Sequence, residues 1–217
     1  MDKENNLFLN LPFDVEKLQQ MPETFYKIQY SAGERIFKQK APLTHFAVLQ
    51  EGLLKIHFEY LHKQLVLLLI KPGQMVGGPG FLVDNKHHFS VTALQDSKVW
   101  LMDLNLYKKI LETQPGFSLK VIRYLNQVHQ KTYQRLMSLT MKSMYGRVAD
   151  TLLYLADDLY SSSVFDTSLS RQDFADFSAL SMESVVRILT AFAKDKLIIC
   201  EGKHFEILNR NKLEKIE

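Results

Sequence analysis

Hydrophobic residues in the first half of the chain occur in short runs bounded by residues that favour turns. The turns lie at Ala32-Gly33, Glu51-Gly52, Pro72-Gly73 and Asp84-Asn85. Short runs at this spacing are typical of strands in an antiparallel roll or barrel. We therefore predict an antiparallel β-roll between about residues 25 and 102. Its predicted strands include residues 35–37, 45–49, 53–58, 64–70 and 97–102.

A helical period replaces this pattern after Pro115-Gly116. From there to about residue 139 the chain contains neither glycine nor proline, and one stripe of positions recurs alternately three and four residues apart. That spacing predicts a coiled-coil seam between two copies of the helix, although the stripe could instead pack on the chain's own β-roll. Polar members of a seam can fix its register or receive a ligand. The stripe consists of Ile122, Leu125, His129, Thr132, Leu136 and Leu139.

The segment 170–189 predicts two short helices joined by a tight turn. Ser170 can cap the first helix and form a capping box with Asp173, and Ser181 can cap the second. Several apolar residues have the spacing of buried helix faces, and the small side chain among them lets the two helices cross closely. These residues are Phe174, Ala175, Val185, Ile188 and Leu189.

Three residues then point outward near the start of the second predicted helix. In a helix-turn-helix, residues at that place contact base edges in the major groove of DNA. Glu183 can accept from a cytosine amino group, Arg187 can donate to guanine O6 and N7, and Val186 lies between them. A helical hairpin with solvated charges is the alternative. Ala179 weighs against DNA binding, because glycine is usual at this turn and a positive φ costs alanine about 1 kcal/mol.

Residues 197–207 have the pattern of a strand, a turn at Gly202 and a returning strand. A hairpin directly after a recognition helix is a wing, and Lys203 and His204 at its tip suit a phosphate contact. A hairpin that only closes the domain is the alternative. Two helices and a wing in this order form a more specific pattern than any of them alone.

The composition excludes several classes of protein. The 217 residues, of which 46% are hydrophobic, suit two modest domains with packed cores. No apolar run approaches 18 residues and no signal peptide is recognisable, so we expect a cytoplasmic protein with no membrane contact. The single Cys200 excludes a disulfide framework and a four-cysteine iron–sulfur site within one chain.

The net charge of +3 gives no support to nucleic-acid binding. Residues 1–140 contain 17 Lys and Arg against 12 Asp and Glu, whereas residues 141–217 contain 10 against 12. The predicted helix-turn-helix part is therefore slightly acidic, and local placement of charge must carry any contact with DNA. This balance leaves open a winged helix that contacts protein rather than DNA.

Six further motifs lie between residues 33 and 175. The first four are Gly33-Glu34-x-Ile36-Phe37-x-Gln39, Val48-Leu49-x-x-Gly52-x-x-Lys55, Pro72-Gly73-x-x-x-Gly77 and Ala93-Leu94-x-x-Ser97-x-Val99. The last two are Gly146-Arg147-Val148-Ala149-x-x-Leu152-x-x-Leu155-Ala156 and Leu169-Ser170-Arg171-x-x-x-Ala175, which are followed by the segment 183–189. In this order they resemble the β-roll and the carboxy-terminal half of Crp/Fnr transcription regulators.

The resemblance implies an α+β fold in three parts. These are a β-roll sensor domain over residues 1–114, a dimerisation helix over residues 115–140 and a winged helix-turn-helix over residues 141–217, with a hinge at residues 141–143. It also implies a homodimer that binds palindromic double-stranded DNA and RNA polymerase, regulates transcription and catalyses no reaction. Its DNA-binding residues would be Ser170, Ser181, Glu183, Val186, Arg187 and Lys203.

The resemblance places an effector site at a glycine-rich loop, whose N–H groups can gather around an anion. Family members that bind cyclic AMP have a glutamate just after the loop glycine and an Arg-Ser pair at the loop end. Here Gly78 takes the place of the glutamate, and only histidine or phenylalanine is available for the arginine. Histidine is a poor substitute for a bidentate guanidinium, so we expect no cyclic AMP binding. The candidate residues are Gly77, Gly78, Gly80, His87, His88, His129, Thr132 and Tyr133.

We also expect no metal, haem or iron–sulfur cofactor. The oxygen-sensing branch of the family holds its cluster with several cysteines, and this chain has one. His87, His88 and His129 leave haem or a metal as an alternative, but adjacent residues of a strand point to opposite sides. His57 and His62 suggest a cupin-type metal enzyme, yet no close His-x-His pair with a nearby acid supports it.

Overall fold

A computed structural model of the protein describes residues 25–217. Two antiparallel sheets form the first part, with strand orders β1-β8-β3-β6 and β2-β7-β4-β5. The predicted β-roll is thereby confirmed. Its strands are β1 (Phe25–Tyr30), β2 (Arg35–Phe37), β3 (His45–Glu51), β4 (Leu54–Tyr60), β5 (Lys63–Ile70), β6 (Met75–Val76), β7 (Ser90–Ala93) and β8 (Ser97–Asp103).

Strands β1, β6 and β7 were not predicted. β6 contains two residues and β7 four, which is too short for an alternating pattern to stand out. β1 is recognisable only from its pairing in the structure. It pairs along its whole length with β8, from Phe25 opposite Met102 to Tyr30 opposite Ser97.

Two helices follow the β-roll and close its core. α1 (Leu104–Thr113) begins at Asp103, whose carboxylate accepts from the backbone N–H of Asn105 at 2.8 Å. α2 (Pro115–Met141) then runs through the predicted long helix. Its first turns pack on the roll, and the Tyr124 hydroxyl donates to the Met75 carbonyl oxygen at 2.5 Å. The core cluster that the two helices close consists of Phe46, Val48, Met75, Trp100, Met102, Tyr107, Ile110, Phe117 and Val121.

The remaining elements form the predicted winged helix-turn-helix. A π-helical turn at Leu155–Leu159 extends α3, and the strand order in the small sheet is β10-β11-β9. Together with the β-roll, this part confirms the α+β fold class. The elements are α3 (Met144–Tyr154), β9 (Val164–Asp166), α4 (Arg171–Ser178), α5 (Met182–Lys194), β10 (Ile198–Glu201), β11 (His204–Ile207) and α6 (Arg210–Glu214).

The described chain divides into two compact units. One contains residues 25–59 and 68–132, and the other contains residues 60–67 and 133–217. α2 contributes to both, so the division at residues 114 and 140 stays a prediction. The helix breaks where a hinge was expected, because Ser143 caps α3 by accepting from the Gly146 N–H at 3.2 Å. No helix of the described residues is long and apolar enough to cross a membrane.

Candidate nucleic-acid interface and effector site

Local hydrogen bonds fix where the two helices of the helix-turn-helix begin. The Ser170 hydroxyl accepts from the Asp173 N–H at 3.1 Å, and the Asp173 carboxylate accepts from the Ser170 N–H at 2.9 Å. This confirms the predicted capping box. α4 ends at Ala179, whose φ of 51° and ψ of 47° are left-handed. Ser181 then caps α5 by accepting from the Ser184 N–H at 3.2 Å.

One side of each helix is buried as predicted, and the other is exposed. The buried residues are Phe174, Ala175, Val185, Ile188 and Leu189. The outward side of α5 exposes Glu183, Val186 and Arg187 in its first two turns. The Glu183 carboxylate accepts from its own backbone N–H and from the Ser181 hydroxyl, and both bonds lower the pKa of Glu183. Glu183 is therefore an ionised acceptor at the start of α5.

The wing lies directly after α5. Strands β10 and β11 pair from Ile198 opposite Ile207 to Glu201 opposite His204, and the turn contains Gly202 with a φ of 58°. His204 Nδ1 is 3.1 Å from a carboxylate oxygen of Asp166, on the third strand of this sheet. Lys203 is exposed at the tip of the wing. It is therefore the cation of this turn that faces solvent.

Arg171 is a functional candidate that sequence reasoning missed. Its Nη2 donates to the Gly202 carbonyl oxygen at 2.7 Å and lies 3.3 Å from the Cys200 Sγ. The guanidinium carbon is also 5.2 Å from the centre of the Phe205 ring. The start of α4 is thus fastened to the wing turn. A residue just after a helix cap carries no sequence signal for such a contact.

Of the 12 acidic residues in 141–217, one lies on α5. Asp157 accepts two hydrogen bonds from Arg210, at 2.6 and 2.7 Å, and Asp150 lies 2.7 Å from the Lys142 ammonium. Asp173 is used in the capping box of α4. Within α5, Glu183 is the one acidic residue. The charge balance therefore gives little information about the exposed side of α5.

The glycine-rich loop is packed more tightly than expected. A Cβ atom at Gly77 would overlap the Phe46 ring, and one at Gly80 would overlap the Lys86 carbonyl oxygen. The N–H groups of the next residues bond to the loop itself, because the Gly80 carbonyl oxygen accepts from residues 83, 84 and 85 at 2.8–3.1 Å. These three amides follow the glycine cluster and are engaged within the loop itself.

The two histidines at the loop end have different surroundings. The His87 ring is buried and stacks on Phe37 with centroids 4.3 Å apart, and burial lowers the pKa of His87. His88 instead lies with its Nε2 3.1 Å from a carboxylate oxygen of Asp84. The two residues lie in a loop rather than in the expected strand, and His87 is buried while His88 is exposed.

The predicted seam on α2 is largely uncovered in the single chain. Leu125 is 45% exposed and Leu136 is 58% exposed, and Ile122 and His129 are also exposed. This exposure is compatible with a seam between two copies of the helix. Two other seam residues, Thr132 and Leu139, are half-buried, and the neighbouring Tyr133 is exposed. The Thr132 hydroxyl donates to the Val128 carbonyl oxygen at 2.8 Å.

Within residues 25–217, no group of three or more His, Cys, Asp or Glu side chains is arranged to hold a metal ion. His57 is buried with its Nε2 2.9 Å from the Thr92 hydroxyl, so this nitrogen is engaged within the sheet.

Family models match both parts of the chain in the order of the fold. Residues 27–114 match the cyclic nucleotide-binding domain, and residues 146–216 match the Crp-like helix-turn-helix domain. The chain belongs to the Crp/Fnr family of transcription regulators. Crp/Fnr proteins bind DNA and act as dimers, and they are regulators rather than enzymes.

Curated relatives of the Crp/Fnr family align over most of the chain. The transcriptional regulatory protein btr of Bordetella pertussis and the transcriptional activator protein anr of Pseudomonas aeruginosa are each 24% identical, over 94% of this chain and 85% of the relative. The cAMP-activated global transcriptional regulator CRP of Salmonella typhimurium is 23% identical over 65% of this chain and 69% of its own. The structure of FixK2 from Bradyrhizobium japonicum shares the fold, with a TM-score of 0.81, 18% identity and coverage of 89% and 97%.

Position 78, where the resemblance places the cyclic-AMP glutamate, is closely packed in this structure. A Cβ atom at Gly78 would lie 3.0 and 3.3 Å from the terminal carbons of Leu43, which is itself buried. A side chain at position 78 would therefore press on Leu43. Sequence reasoning identified the missing glutamate but had no signal for this neighbour.

Proposed function

We propose that this chain is a dimeric, sequence-specific DNA-binding transcription regulator that responds to an effector through its β-roll. The observation that supports it best is the division of α5 into two sides. Val185 and Ile188 are fully buried, whereas Glu183, Val186 and Arg187 are exposed within the first two turns. A recognition helix needs this arrangement, because its N-terminal residues must reach base edges while its other side holds the domain together.

The side chains on α5 suit one G·C base pair. Arg187 would donate two hydrogen bonds to guanine O6 and N7, and the ionised Glu183 would accept from the amino group of a cytosine. Ser170 and Ser181, which cap α4 and α5, are both exposed. They suit contacts with phosphate oxygens. Lys203 on the wing would add a phosphate contact that does not depend on sequence.

A dimer through α2 would set the geometry of the DNA site. The exposed stripe that contains Ile122, Leu125 and Leu136 offers apolar surface to a second copy. Two recognition helices related by a two-fold axis would read half-sites about 34 Å apart, one helical turn of DNA, so the operator would be palindromic. Bound there, the dimer would act on RNA polymerase.

The effector would be neither cyclic AMP nor a group that requires an iron–sulfur cluster. A side chain at position 78, the expected place of the glutamate, would press on Leu43, and the buried His87 ring has a lowered pKa that favours its neutral form. A winged helix that contacts protein was motivated by the acidic balance of residues 141–217. The ion pairs of Asp150 and Asp157 engage two of these carboxylates with cations of the same domain and leave its net charge unchanged.

The experiment is selection of bound sites from random duplexes, followed by binding of variants to the selected site. Arg187→Ala should cost about 1–3 kcal/mol on that site and relax the base preference at one position. Lys203→Ala should weaken selected and random DNA alike, and lower the slope of log affinity against log salt by about 1. Selected sites without two-fold symmetry, or an unchanged base preference for Arg187→Ala, would contradict the proposal.

A further inference from the structure

The start of α5 exposes two large apolar side chains. Met182 and Val186 are each 43% exposed, although the neighbouring Val185 is fully buried. The core of the domain uses the other side of the helix, so the fold does not need apolar residues at these two positions. Their exposure leaves apolar surface in water, which costs free energy unless a partner covers it.

The positions of these residues make two parallel rows on the outward side of α5. Met182 and Val186 are four residues apart and form an apolar row about 6 Å long. Glu183 and Arg187 have the same spacing and form a polar row beside it. Further along the apolar row, Thr190 is exposed, and its hydroxyl donates to the Val186 carbonyl oxygen at 2.9 Å.

The chemistry of the major groove distinguishes what the two rows can contact. Every base pair presents hydrogen-bonding atoms there, but among unmodified bases thymine alone presents a methyl group, at C5. An apolar side chain against a donor or acceptor leaves that group without a partner, which is unfavourable. Against a thymine methyl group, the same side chain removes apolar surface from water on both partners.

We infer that Met182 and Val186 form an apolar reading strip that contacts the methyl groups of two thymines beside the G·C pair read by Glu183 and Arg187. This inference rests on the proposed function, since it requires the start of α5 to lie in the major groove. The 6 Å length of the strip corresponds to about two base-pair steps of 3.4 Å. The two thymines therefore lie no more than about two steps apart in each half-site.

Deoxyuridine tests the inference, because it differs from thymidine by the C5-methyl group alone. Each thymine of one half-site in the selected duplex is replaced in turn, and affinities for the full-length wild-type protein are compared. At two positions, uracil should weaken binding about fourfold, the effect of one buried methyl group. At the other thymines, uracil should leave the affinity unchanged.

Variants then assign each methyl group to a side chain. Val186→Ala should bind the thymine duplex less tightly and lose its sensitivity to uracil at one position, while Met182→Ala should lose it at the other. Both should keep the guanine preference given by Arg187. Val164→Ala is the matched control, since Val164 is 45% exposed on β9, outside the reading helix, and should keep the wild-type response at both positions.

The outcomes separate this inference from the proposed function. A selected palindrome whose affinity is insensitive to uracil at every thymine would overturn the apolar strip and leave the proposed function standing. Loss of uracil sensitivity in Val164→Ala as well would overturn the assignment to α5. Failure to select any sequence would overturn the proposed function and this inference with it.

Discussion

The guanidinium of Arg171 donates to the carbonyl oxygen of Gly202 at 2.7 Å, which joins the first turn of α4 to the turn of the wing. From the other side, the Thr167 N–H donates to the Lys203 carbonyl oxygen at 3.0 Å. The turn that carries the Lys203 side chain is therefore held at two consecutive residues. Arg171 acts through the wing, as a positioning residue for its proposed phosphate contact.

Replacing Arg171 with alanine should loosen the wing without unfolding the domain. A hydrogen bond of this kind contributes about 0.5–1.5 kcal/mol, so hydrogen exchange of the amides of residues 201–204 should accelerate by roughly 2- to 12-fold. Gln172→Ala is the control, because it removes the neighbouring side chain and only its 2.7 Å bond to Asp176. Equal exchange in the wing of both variants would show that Arg171 does not fasten it.

Glycine in place of Ala179 should stabilise the helix-turn-helix. Ala179 is exposed at φ 51°, where a Cβ atom is unfavourable, so Ala179→Gly should raise the free energy of unfolding by about 0.5–1 kcal/mol. The same substitution within α5, Ala191→Gly, should lower it by about 1 kcal/mol. Denaturant unfolding measures both, and a loss of stability in Ala179→Gly would contradict the strain assigned to this turn.

The features that could be predicted from the sequence are those set by residues close together in the chain. The capping box of Ser170 and Asp173 is decided within three residues, and the buried sides of α4 and α5 follow from helical periodicity. The long helix could be predicted for the same reason, because α2 runs from Pro115 to Met141 with no glycine or proline after its first turn. Local geometry is sufficient in each case.

The features that could not be predicted depend on residues far apart in the chain. Arg135 lies on α2 beside the predicted seam, where a charged residue suggests solvent. It is instead buried 3.9 Å from the centre of the Phe177 ring, and desolvation lowers the pKa of Arg135 to about 10. The contact of Arg171 with Gly202 and the place of Leu43 beside Gly78 are of the same kind.

Charge in the seam should separate the dimer. Leu125 and Leu136 are exposed in the single chain, so lysine at both positions should leave the protomer folded. In a paired seam the same change places like charges in an apolar interface, which is strongly destabilising. Sedimentation of Leu125→Lys/Leu136→Lys should therefore show folded monomers.

The control for this pair adds equal charge outside the stripe. Gln130 and Gln134 are exposed on the same helix and lie outside the seam, so Gln130→Lys/Gln134→Lys should remain dimeric. A dimer that survives both pairs of substitutions would place the interface elsewhere on the chain.

Cyclic AMP should bind no more tightly than millimolar. At 1 mM ligand, a dissociation constant of 1 mM or weaker stabilises the folded protein by at most about 0.4 kcal/mol, whereas 1 µM would give about 4 kcal/mol. For domains of this size these values correspond to a melting shift below about 2 °C and one of about 8–16 °C. The cAMP-activated regulator CRP of Salmonella typhimurium is the positive control. A shift of several degrees in this protein would mean that Leu43 moves away from Gly78 to admit the nucleotide, and that binding needs neither the glutamate nor the arginine.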